Sequence, residues 1–237
     1  MSGAIRDANW VRGMFGRIAP RYDLANHLLS FGIDRYWRAR TVRAVSHIMR
    51  RPGARVLDLC CGTGDLALAL AAAGRGTPAR VFGSDFCHPM LTRAREKGAP
   101  FVFESDALQL PLPAACVDLV TVAFGFRNLA DYDAGLLEMR RVLRPGGMAA
   151  ILEFSQPPNA AFAALYAFYS RHILPVIGGA VSGSKEAYSY LPASVSRFPS
   201  ADDLARRMSD AGFSQVRIDL MTGGIAALHT GLASRGA

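Results

Sequence analysis

Short apolar runs alternate with helical patterns over the first two thirds of this 237-residue chain. Parallel strands need a crossover between them, usually a helix, so this alternation predicts a parallel sheet with helices on both faces. The predicted strands are 55–59, 80–85, 101–104, 117–124 and 148–154. The predicted helices are 65–73, 89–97 and 131–143, the last ending at the stop signal Arg144-Pro145-Gly146-Gly147. The chain is therefore expected to have an α/β fold.

The pattern changes after residue 154. Pro157-Pro158 interrupts the chain, and 159–172 predicts a helix with apolar residues on nearly every face. Ser200 is expected to cap a helix that runs to residue 211. Two apolar runs, 215–221 and 225–230, flank a short glycine turn and predict an antiparallel hairpin. A dinucleotide-binding sheet does not usually end in this way.

Composition narrows the class of protein. Hydrophobic residues make up 51% of the chain and charged residues 19%, which is typical of a globular domain rather than a disordered one. The net charge is +8, but the arginines are scattered and form no basic run, so nucleic acid is not expected as a partner. Four cysteines without a C-x-x-C pair favour buried thiols in a reducing cytoplasm. The N-terminus has no pattern of a secretory signal.

A glycine turn directly after the first predicted strand is the main candidate site. Gly62 and Gly64 let the backbone bend and let a ligand lie against the main chain. The second strand ends about 20 residues later on Asp85, the position from which an acid accepts hydrogen bonds from a ribose. These residues predict a cofactor that contains adenosine.

Charge decides between two such cofactors. The residues from Gly62 to Ala67 also fit the dinucleotide pattern G-x-G-x-x-A, which places a pyrophosphate at the helix start. Asp65 occupies that start and is expected to repel a phosphate, and Asp58 adds a second carboxylate. The pair favours S-adenosylmethionine, which carries an ammonium and a sulfonium. Alternatively, Asp65 caps the helix and Asp58 is a buried acid bonded to backbone amides. No metal site is expected.

Four further blocks of sequence are much more specific than the glycine turn. Through them the chain resembles the ubiquinone/menaquinone biosynthesis C-methyltransferases of the UbiE type, over nearly its whole length. The resemblance implies a Rossmann-like, seven-stranded class I S-adenosylmethionine-dependent methyltransferase fold with a helical N-terminal extension and an antiparallel C-terminal hairpin. It divides the chain into a helical extension or substrate cap, 1–50, and a methyltransferase domain, 51–237, with an insert at 156–199. The blocks are 21–26 with 30–32 and 37–38, 124–128, 187–192 with 194 and 198–199, and 223–229.

The resemblance also implies which residues hold the cofactor. It points to Thr63 in the glycine turn, Asp85, and Asp106-Ala107 after the third strand, beside Asp58, Gly62 and Gly64. Asp106 can accept from the adenine amine, and the Ala107 amide can donate to a ring nitrogen. Two positions depart from the family pattern: Cys60 replaces the first glycine of the general turn, and Ala123 replaces a serine that some members carry.

The implied substrate is a reduced polyprenylated quinol that is methylated on a ring carbon. That carbon becomes nucleophilic when a neighbouring hydroxyl ionises, and a phenol with a pKa near 10 leaves only about one molecule in a thousand ionised at pH 7. We expect Arg127 to favour the phenolate and Asn128 to orient the ring or a water. Alternatively, Arg127 pairs with Asp131, and Asn128 caps the next helix.

His229 and Tyr188 are further candidates for accepting the proton, although a lone histidine in a strand is more often structural. Tyr22, Tyr188 and Tyr190 are expected to line the quinol pocket or to pack in the core. A general alternative to the whole assignment is a methyltransferase for another small molecule, a nicotinamide-dependent oxidoreductase or a non-catalytic binding protein. Benzoquinol and naphthoquinol remain open as substrates, with a preference for demethylmenaquinol.

The segment 159–177 is expected either to form a lid or groove for the prenyl tail or, as fully apolar helices usually do, to be buried in the core. Arg171-His172 and Pro175 should interrupt it, so a membrane-spanning helix is not expected. The protein is expected in the cytoplasm, with peripheral association at the inner face of the membrane through Arg171, Arg197 and the N-terminal arginines. A homo-oligomer is compatible with this arrangement.

Overall fold

The computed structural model describes residues 8–76, 79–99, 101–182 and 185–234. In these ranges the chain forms seven strands and ten helices. The strands are β1 Arg55–Leu59, β2 Arg80–Asp85, β3 Val102–Glu104, β4 Val117–Ala123, β5 Leu143–Phe154, β6 Phe213–Met221 and β7 Ala226–Ala233. The helices are α1 Ala8–Ile18, α2 Tyr22–Leu29, α3 Ile33–Met49, α4 Asp65–Ala73, α5 His88–Glu96, α6 Tyr132–Val142, α7 Ala160–Phe168, α8 Leu174–Ser182, α9 Lys185–Arg197 and α10 Ala201–Asp210.

The strands of the described chain form one sheet in the order β3-β2-β1-β4-β5-β7-β6. The first five strands pair in parallel, and β7 is antiparallel to both β5 and β6. This confirms the predicted parallel sheet and the predicted C-terminal hairpin. The strand order reverses on either side of β1 and β4, which places a crevice at their carboxyl ends.

Most strands differ from their predicted bounds by up to three residues, and β5 differs most, because it begins five residues earlier than predicted. The predicted stop after α6 is not a separate turn, because β5 begins immediately at Leu143. Leu143 pairs with Val117, and Met148 pairs with Leu119, so the residues between 143 and 148 form a bulge in a continuous strand. Arg144 anchors this bulge through a 3.0 Å ion pair with Asp118. The sequence signals marked an irregularity correctly, but the pairing with β4 continues through it.

Helices cover both faces of the sheet. On one face α6 and α10 pack against β1, β4 and β5. On the other face α3 and α4 pack against the opposite side chains of the same strands, including Val56, Leu119 and Leu152. Successive residues of a strand point to opposite faces, so strands buried on both sides are apolar throughout. This burial explains the short, continuous apolar runs in the sequence.

A third group of helices lies outside the two faces. Helices α1 and α2 pack with the α7–α9 region in a separate apolar cluster, which includes Met14, Leu29, Met90 and Leu174. These are the segments expected to form a cap (1–50) and an insert (156–199). Residues 1–7 of the expected extension lie outside the described residues.

The predicted break in the apolar segment is wrong. Helices α7 and α8 are joined by a π-helical turn, Tyr169–Ile173, so Arg171 does not interrupt the helix. A proline ring clashes with the carbonyl four residues earlier, and for Pro175 that carbonyl lies in the wider π-turn. By length and composition, the described residues contain one helix that could cross a membrane, Ala160–Gly178, with a mean hydropathy of 1.3 and 11% of its residues buried.

Candidate active site

Two adjoining cavities open at the carboxyl ends of the parallel strands. The smaller, about 260 Å³, is lined by the glycine turn and by the residues that follow β2, β3 and β4. The larger, about 500 Å³, lies between the cap helices, the β4 end and the α7–α9 region, and its lining is mostly apolar. Four side chains line both cavities and mark their junction: Phe15, Tyr22, Arg38 and Phe124.

The glycine turn forms the floor of the smaller cavity. Cys60 and Gly62 have φ values of 53° and 55°, in the left-handed region. The Gly62 amide donates to Asp85 Oδ2 over 2.8 Å, and the Cys87 amide donates to Asp85 Oδ1 over 2.9 Å. Asp85 therefore ties the glycine turn to the end of β2. Each carboxylate oxygen retains a second lone pair for a ribose hydroxyl.

Gly64 does not line either cavity. Its φ is 83°, and a Cβ on it would meet Ala94 Cβ at 3.1 Å. A glycine is needed at this position because α4 begins here in close contact with α5. Gly64 therefore serves helix packing rather than contact with a ligand. The other predicted cofactor residues all line the smaller cavity: Asp58, Gly62, Thr63, Asp85, Asp106 and Ala107.

Asp58 is the most unusual group in the smaller cavity. The side chain is 1% exposed, and its Oδ1 accepts from the Thr121 hydroxyl over 2.8 Å. Its Oδ2 is buried and has no hydrogen-bond partner among the described residues. Burial raises the pKa of Asp58 to about 7, against the opposing effect of the Thr121 hydrogen bond. The Ala67 amide also favours the ionised form of Asp58, so the alternative of a buried acid bonded to backbone amides holds in part. The oxygen without a partner suits a cationic ligand group.

The ends of β2 and β3 form another side of the smaller cavity. Burial raises the pKa of Asp85 to about 6, although the Cys87 and Gly62 amides favour its ionised form. Asp106 is exposed, and its Oδ1 accepts from the Leu108 amide over 2.9 Å, which fixes the carboxylate at the cavity edge. Ala107 is buried beside it. Asp85 offers hydrogen-bond acceptors that suit ribose hydroxyls. Asp106 and the Ala107 amide offer an acceptor and a donor, which is the pair that an adenine ring needs.

Asp65 does not act as the sequence predicted. It begins α4, but its carboxylate pairs with Lys97, and it also lies 3.5 Å from Arg38. Because two cations offset its charge, Asp65 is not a free repulsive group at the helix start. The exclusion of a pyrophosphate cannot rest on this residue, and the preference for a cation rests on Asp58.

No sequence pattern indicated the network of contacts around Asp65. Asp23 of α2 accepts from the Thr63 hydroxyl and from Lys97 Nζ, the latter over 2.7 Å. Thr63 lines the smaller cavity, but its hydroxyl is already used in the hydrogen bond to Asp23 of the cap. Thr63 and Lys97 therefore attach α2 to the glycine turn and to the end of α5.

Arg127 is buried at the wall of the larger cavity. Its Nη1 donates to Glu153 Oε1 over 3.0 Å and to the Phe124 carbonyl, and its Nε donates to the Ser194 hydroxyl over 3.3 Å. Its guanidinium carbon lies 5.4 Å from the centre of the Phe154 ring. The alternative in which Arg127 pairs with Asp131 is wrong, since the partner is Glu153.

Asn128 lines the smaller cavity, next to the junction. Its Oδ1 accepts from the Tyr190 hydroxyl over 3.1 Å, and Tyr190 itself lines the larger cavity. The alternative in which Asn128 caps the next helix is also wrong. Asp131 caps α6 by accepting from the amides of Asp133 and Ala134.

One expected proton acceptor, His229, is not at the junction. His229 is 2% exposed, lines neither cavity, and hydrogen-bonds the Ala201 carbonyl through Nε2 over 2.8 Å. Burial lowers the pKa of His229. Its hydrogen bond to the first residue of α10 indicates a structural role. Tyr188 lies in α9, and its side chain is outside the described residues. Burial raises the pKa of Tyr22, which disfavours its anionic form as a base.

One group of potential metal ligands lies beside the junction. His27, Asp34 and Asp65 bring ligand atoms within 4.8 Å of one another. Arg38 already pairs with both carboxylates, and His27 Nδ1 lies 2.8 Å from Asp34 Oδ2. The guanidinium therefore takes the place that a metal cation would need.

Comparison with known proteins gives consistent matches over the whole chain. The model of the ubiE/COQ5 methyltransferase family matches residues 3–233. The demethylmenaquinone methyltransferase of Thermus thermophilus is 51% identical over 92% of this chain and 99% of its own length. That of Deinococcus radiodurans is 48% identical over 93% and 91%. The ubiquinone/menaquinone biosynthesis C-methyltransferase UbiE of Syntrophotalea carbinolica is 44% identical over 99% and 98%.

Solved structures resemble the fold at low sequence identity. A SAM-dependent methyltransferase from Thermotoga maritima matches with a TM-score of 0.64 at 18% identity, over 94% of this chain and 99% of its own. Phosphoethanolamine N-methyltransferase 2 of Haemonchus contortus, in complex with S-adenosyl-L-methionine, matches with a TM-score of 0.58 at 15% identity, over 81% and 53%. These matches confirm the predicted class I methyltransferase fold.

Proposed function

The chain belongs to the ubiE/COQ5 methyltransferase family, and we propose that it transfers a methyl group from S-adenosylmethionine to a ring carbon of demethylmenaquinol. The predicted family and the predicted methyltransferase activity are confirmed by the match over residues 3–233. The preference for a naphthoquinol is supported by the demethylmenaquinone methyltransferases to which the chain is 51% and 48% identical. A benzoquinol of ubiquinone synthesis is the alternative, since a UbiE relative is 44% identical.

The smaller cavity fits the methyl donor. S-Adenosylmethionine, when bound, supplies the methyl group together with a positively charged sulfonium. Asp58 offers a buried, unpaired carboxylate oxygen for the ammonium, and Asp85 offers lone pairs for the ribose hydroxyls. Asp106 and Ala107 are proposed to hold the adenine, and Gly62 lets the ligand lie close to the main chain.

The larger cavity fits an aromatic ring that carries an apolar tail. Its volume is about 500 Å³, and its wall is built mainly from aromatic and aliphatic side chains of the cap and the α7–α9 region. Phe124 and Tyr22 line both cavities, so a ring held between them lies next to the methyl donor. In this proposal, residues 1–50 cap the substrate, and the insert 156–199 encloses its tail.

Arg127 is the residue proposed to activate the ring. It lines the larger cavity, close to Phe124 at the junction. A guanidinium that donates to a ring hydroxyl oxygen favours the phenolate, which makes the adjacent carbon nucleophilic. Asn128, fixed by the Tyr190 hydroxyl, is proposed to orient the ring from the other side. Holding both reactants in the correct orientation contributes further acceleration.

The tail is proposed to enter from a membrane surface. Phe31, Leu165 and Phe168 line the larger cavity and are 78%, 64% and 58% exposed, so the cavity wall continues onto the surface. Arg171 in the π-turn is exposed among these apolar side chains. Exposed apolar groups flanked by cations suit a bilayer with anionic headgroups. We therefore place the protein in the cytoplasm, at the inner face of the membrane.

The observation that carries this proposal is the pair of adjoining cavities, one with an unpaired buried carboxylate and one apolar. The experiment is a methyl-transfer assay with demethylmenaquinol under reducing conditions, matched by the same assay with the oxidised quinone. Methylation of the quinol alone is expected, because only the quinol has an ionisable hydroxyl. Equal methylation of the quinone, or none of the quinol, would overturn the proposal.

A further inference from the structure

Glu153 is a buried carboxylate at the penultimate position of strand β5, next to the cavity wall. It is 1% exposed and lies next to Phe154, the residue over which the Arg127 guanidinium stacks. Its Oε1 accepts from Arg127 Nη1 over 3.0 Å and from the Phe154 amide over 2.9 Å. Its Oε2 accepts from the Arg127 backbone amide over 3.1 Å. One carboxylate thus holds both the main chain and the side chain of Arg127.

The remaining donors of Arg127 have a defined direction. Nη1 is used by Glu153 and by the Phe124 carbonyl, and Nε is used by Ser194. Nη2 has no hydrogen-bond partner among the described residues. It is not a fully buried atom either, so a bound molecule can reach it. Because Arg127 lines the larger cavity, the two N–H groups of Nη2 face that cavity.

The charges around this donor nearly cancel. The Arg127–Glu153 pair is neutral as a whole, and it lies in a region where both side chains are at most 6% exposed. The other ionisable groups of the cavity wall are Asp34 and Arg38, which form their own ion pair, and the hydroxyls of four tyrosines. These tyrosines come from the cap and from the α7–α9 region: Tyr22, Tyr166, Tyr169 and Tyr190. Outside the cavity wall, Tyr132 of α6 donates to the Arg127 carbonyl, and the Cys60 thiol faces Glu153; the pKa of each is raised by burial, so both stay neutral.

We propose that Glu153 is a positioning residue that aims Arg127 Nη2 into the substrate cavity and sets the charge beside the reacting oxygen. The proposal rests on the proposed function, because it concerns the ionisation of the bound quinol. In that step the quinol O–H bond breaks, the electron pair stays on oxygen, and water takes the proton. The Arg127 donor lowers the pKa of the hydroxyl, and the negative charge of Glu153 limits how far it falls.

This role predicts shifts of opposite sign for two single variants. Glu153→Gln leaves the guanidinium unopposed, so the rising limb of kcat against pH should move to lower pH by about one unit. Arg127→Gln leaves the carboxylate unopposed, so the limb should move to higher pH, with kcat lowered about 100-fold. In Arg127→Gln/Glu153→Gln the net charge is again zero, and the limb should return close to that of the wild type, while kcat stays low.

Ser194→Ala is the matched control, because it removes a hydrogen bond from the same guanidinium without changing the charge. It should lower kcat with no shift of the limb. If the rising limb of kcat lies at the same pH in all four variants, Glu153 only supports the fold, and the inference is overturned. If wild-type enzyme methylates demethylmenaquinol, that outcome leaves the proposed function intact, whereas an inactive wild type would remove the proposed function itself.

A second measurement covers a single variant that does not fold. The ultraviolet spectrum of 1-naphthol distinguishes phenol from phenolate, so it reports the pKa of the bound hydroxyl without turnover. The double variant buries no unpaired charge and is expected to fold. In the complex with S-adenosylhomocysteine, the bound pKa in the double variant should match that in wild type within about half a unit, and Arg127→Gln should raise it. A double variant whose bound pKa differs from that in wild type by one unit or more would contradict the charge-setting role, whether or not Arg127→Gln folds.

Discussion

The side chain of Cys60 fills the space that a side chain at Gly125 would occupy. A Cβ built on Gly125 lies 2.5 Å from Cys60 Cβ, well inside van der Waals contact. Cys60 stands where related methyltransferase turns have a glycine, and its φ of 53° is costly for a residue with a Cβ. The glycine after β4 therefore compensates for the cysteine after β1, and both line the smaller cavity.

This relationship predicts a suppressor pair. Gly125→Ala should destabilise the fold by about 1–3 kcal/mol, because its new methyl group overlaps Cys60. Cys60→Gly/Gly125→Ala should recover most of that loss, since the second change removes the overlapping atom and relieves the left-handed φ. Urea denaturation of the four proteins in the cycle measures the coupling. Additive effects of the two substitutions would contradict the compensation.

Asp58 predicts a pH-dependent affinity for the methyl donor. With its pKa raised to about 7, the carboxyl is largely protonated below that pH, where it cannot attract an ammonium. The affinity for S-adenosylhomocysteine, which keeps the ammonium, should therefore rise as pH increases from 6 to 8 by roughly tenfold. Asp58→Asn should bind more weakly at pH 8 and lose this dependence. Calorimetry at several pH values measures both, and an unchanged pH profile in Asp58→Asn would exclude this carboxylate.

The same residue predicts a cost in stability. The pKa of Asp58 is higher in the folded protein than its ordinary value of 3.8, so the folded state holds more protons between those two values. Stability of the ligand-free protein should therefore fall as pH rises through this range, as the buried acid ionises. Asp58→Asn should have a higher Tm than wild type at pH 8 and a similar Tm near pH 4. A lower Tm for the variant at pH 8 would show that the carboxylate is stabilising.

Much of the fold follows from sequence pattern. The bounds of Arg55–Leu59, Asp65–Ala73 and Arg80–Asp85 agree with their predictions, because strong apolar patterns meet glycine or charged residues at each end. The helix through Pro175 was not predictable from a proline rule, because a π-turn removes the usual clash. Secondary structure that depends on such local geometry is settled by packing rather than by residue type.

The sequence was sufficient to predict which residues line the site, but not the hydrogen bonds and ion pairs that they form. Asp58 and Asp85 could be found because they end short apolar strands next to a glycine turn. The pairing of Asp23 with Lys97 joins residues 74 positions apart, and no spacing rule connects them. Glu153 did carry a signal, since it is a charged residue within the apolar run of β5. His229 misled the prediction because a strand histidine looks the same whether it faces a cavity or a helix.

The contacts of Asp23 predict a latch on the cofactor cavity. Asn9, Arg12 and Phe15 of α1 line that cavity, so α1 and α2 cover it. Asp23→Asn should weaken the contacts with Thr63 and Lys97 and raise the dissociation rate of S-adenosylhomocysteine by about threefold to tenfold. Arg17→Gln is a suitable control, because it removes an exposed ion pair of α1 with Glu186. Equal dissociation rates in stopped-flow measurements of both variants would contradict a specific latch.

The exposed apolar surface predicts binding to vesicles. Leu165→Ser/Val176→Ser should lower flotation with vesicles that contain anionic lipid, since these side chains are 64% and 66% exposed beside Arg171. Leu137→Ser/Leu220→Ser provides a matched control, because these exposed residues lie on α6 and β6, away from the cavity. Equal flotation of both double variants would contradict this docking face. A change in oligomeric mass restricted to the first variant would instead assign the face to a second copy of the chain.

The most direct test of the account is a competition between two quinols for a labelled methyl group. Wild-type protein is given S-adenosylmethionine with a trideuterated methyl group and equal amounts of a demethylated naphthoquinol and a demethylated benzoquinol, both polyprenylated and kept reduced. We expect a trideuteromethyl group on a ring carbon, mainly of the naphthoquinol, as shown by product mass and fragmentation. Label on a ring oxygen, or no label in either quinol, would contradict it.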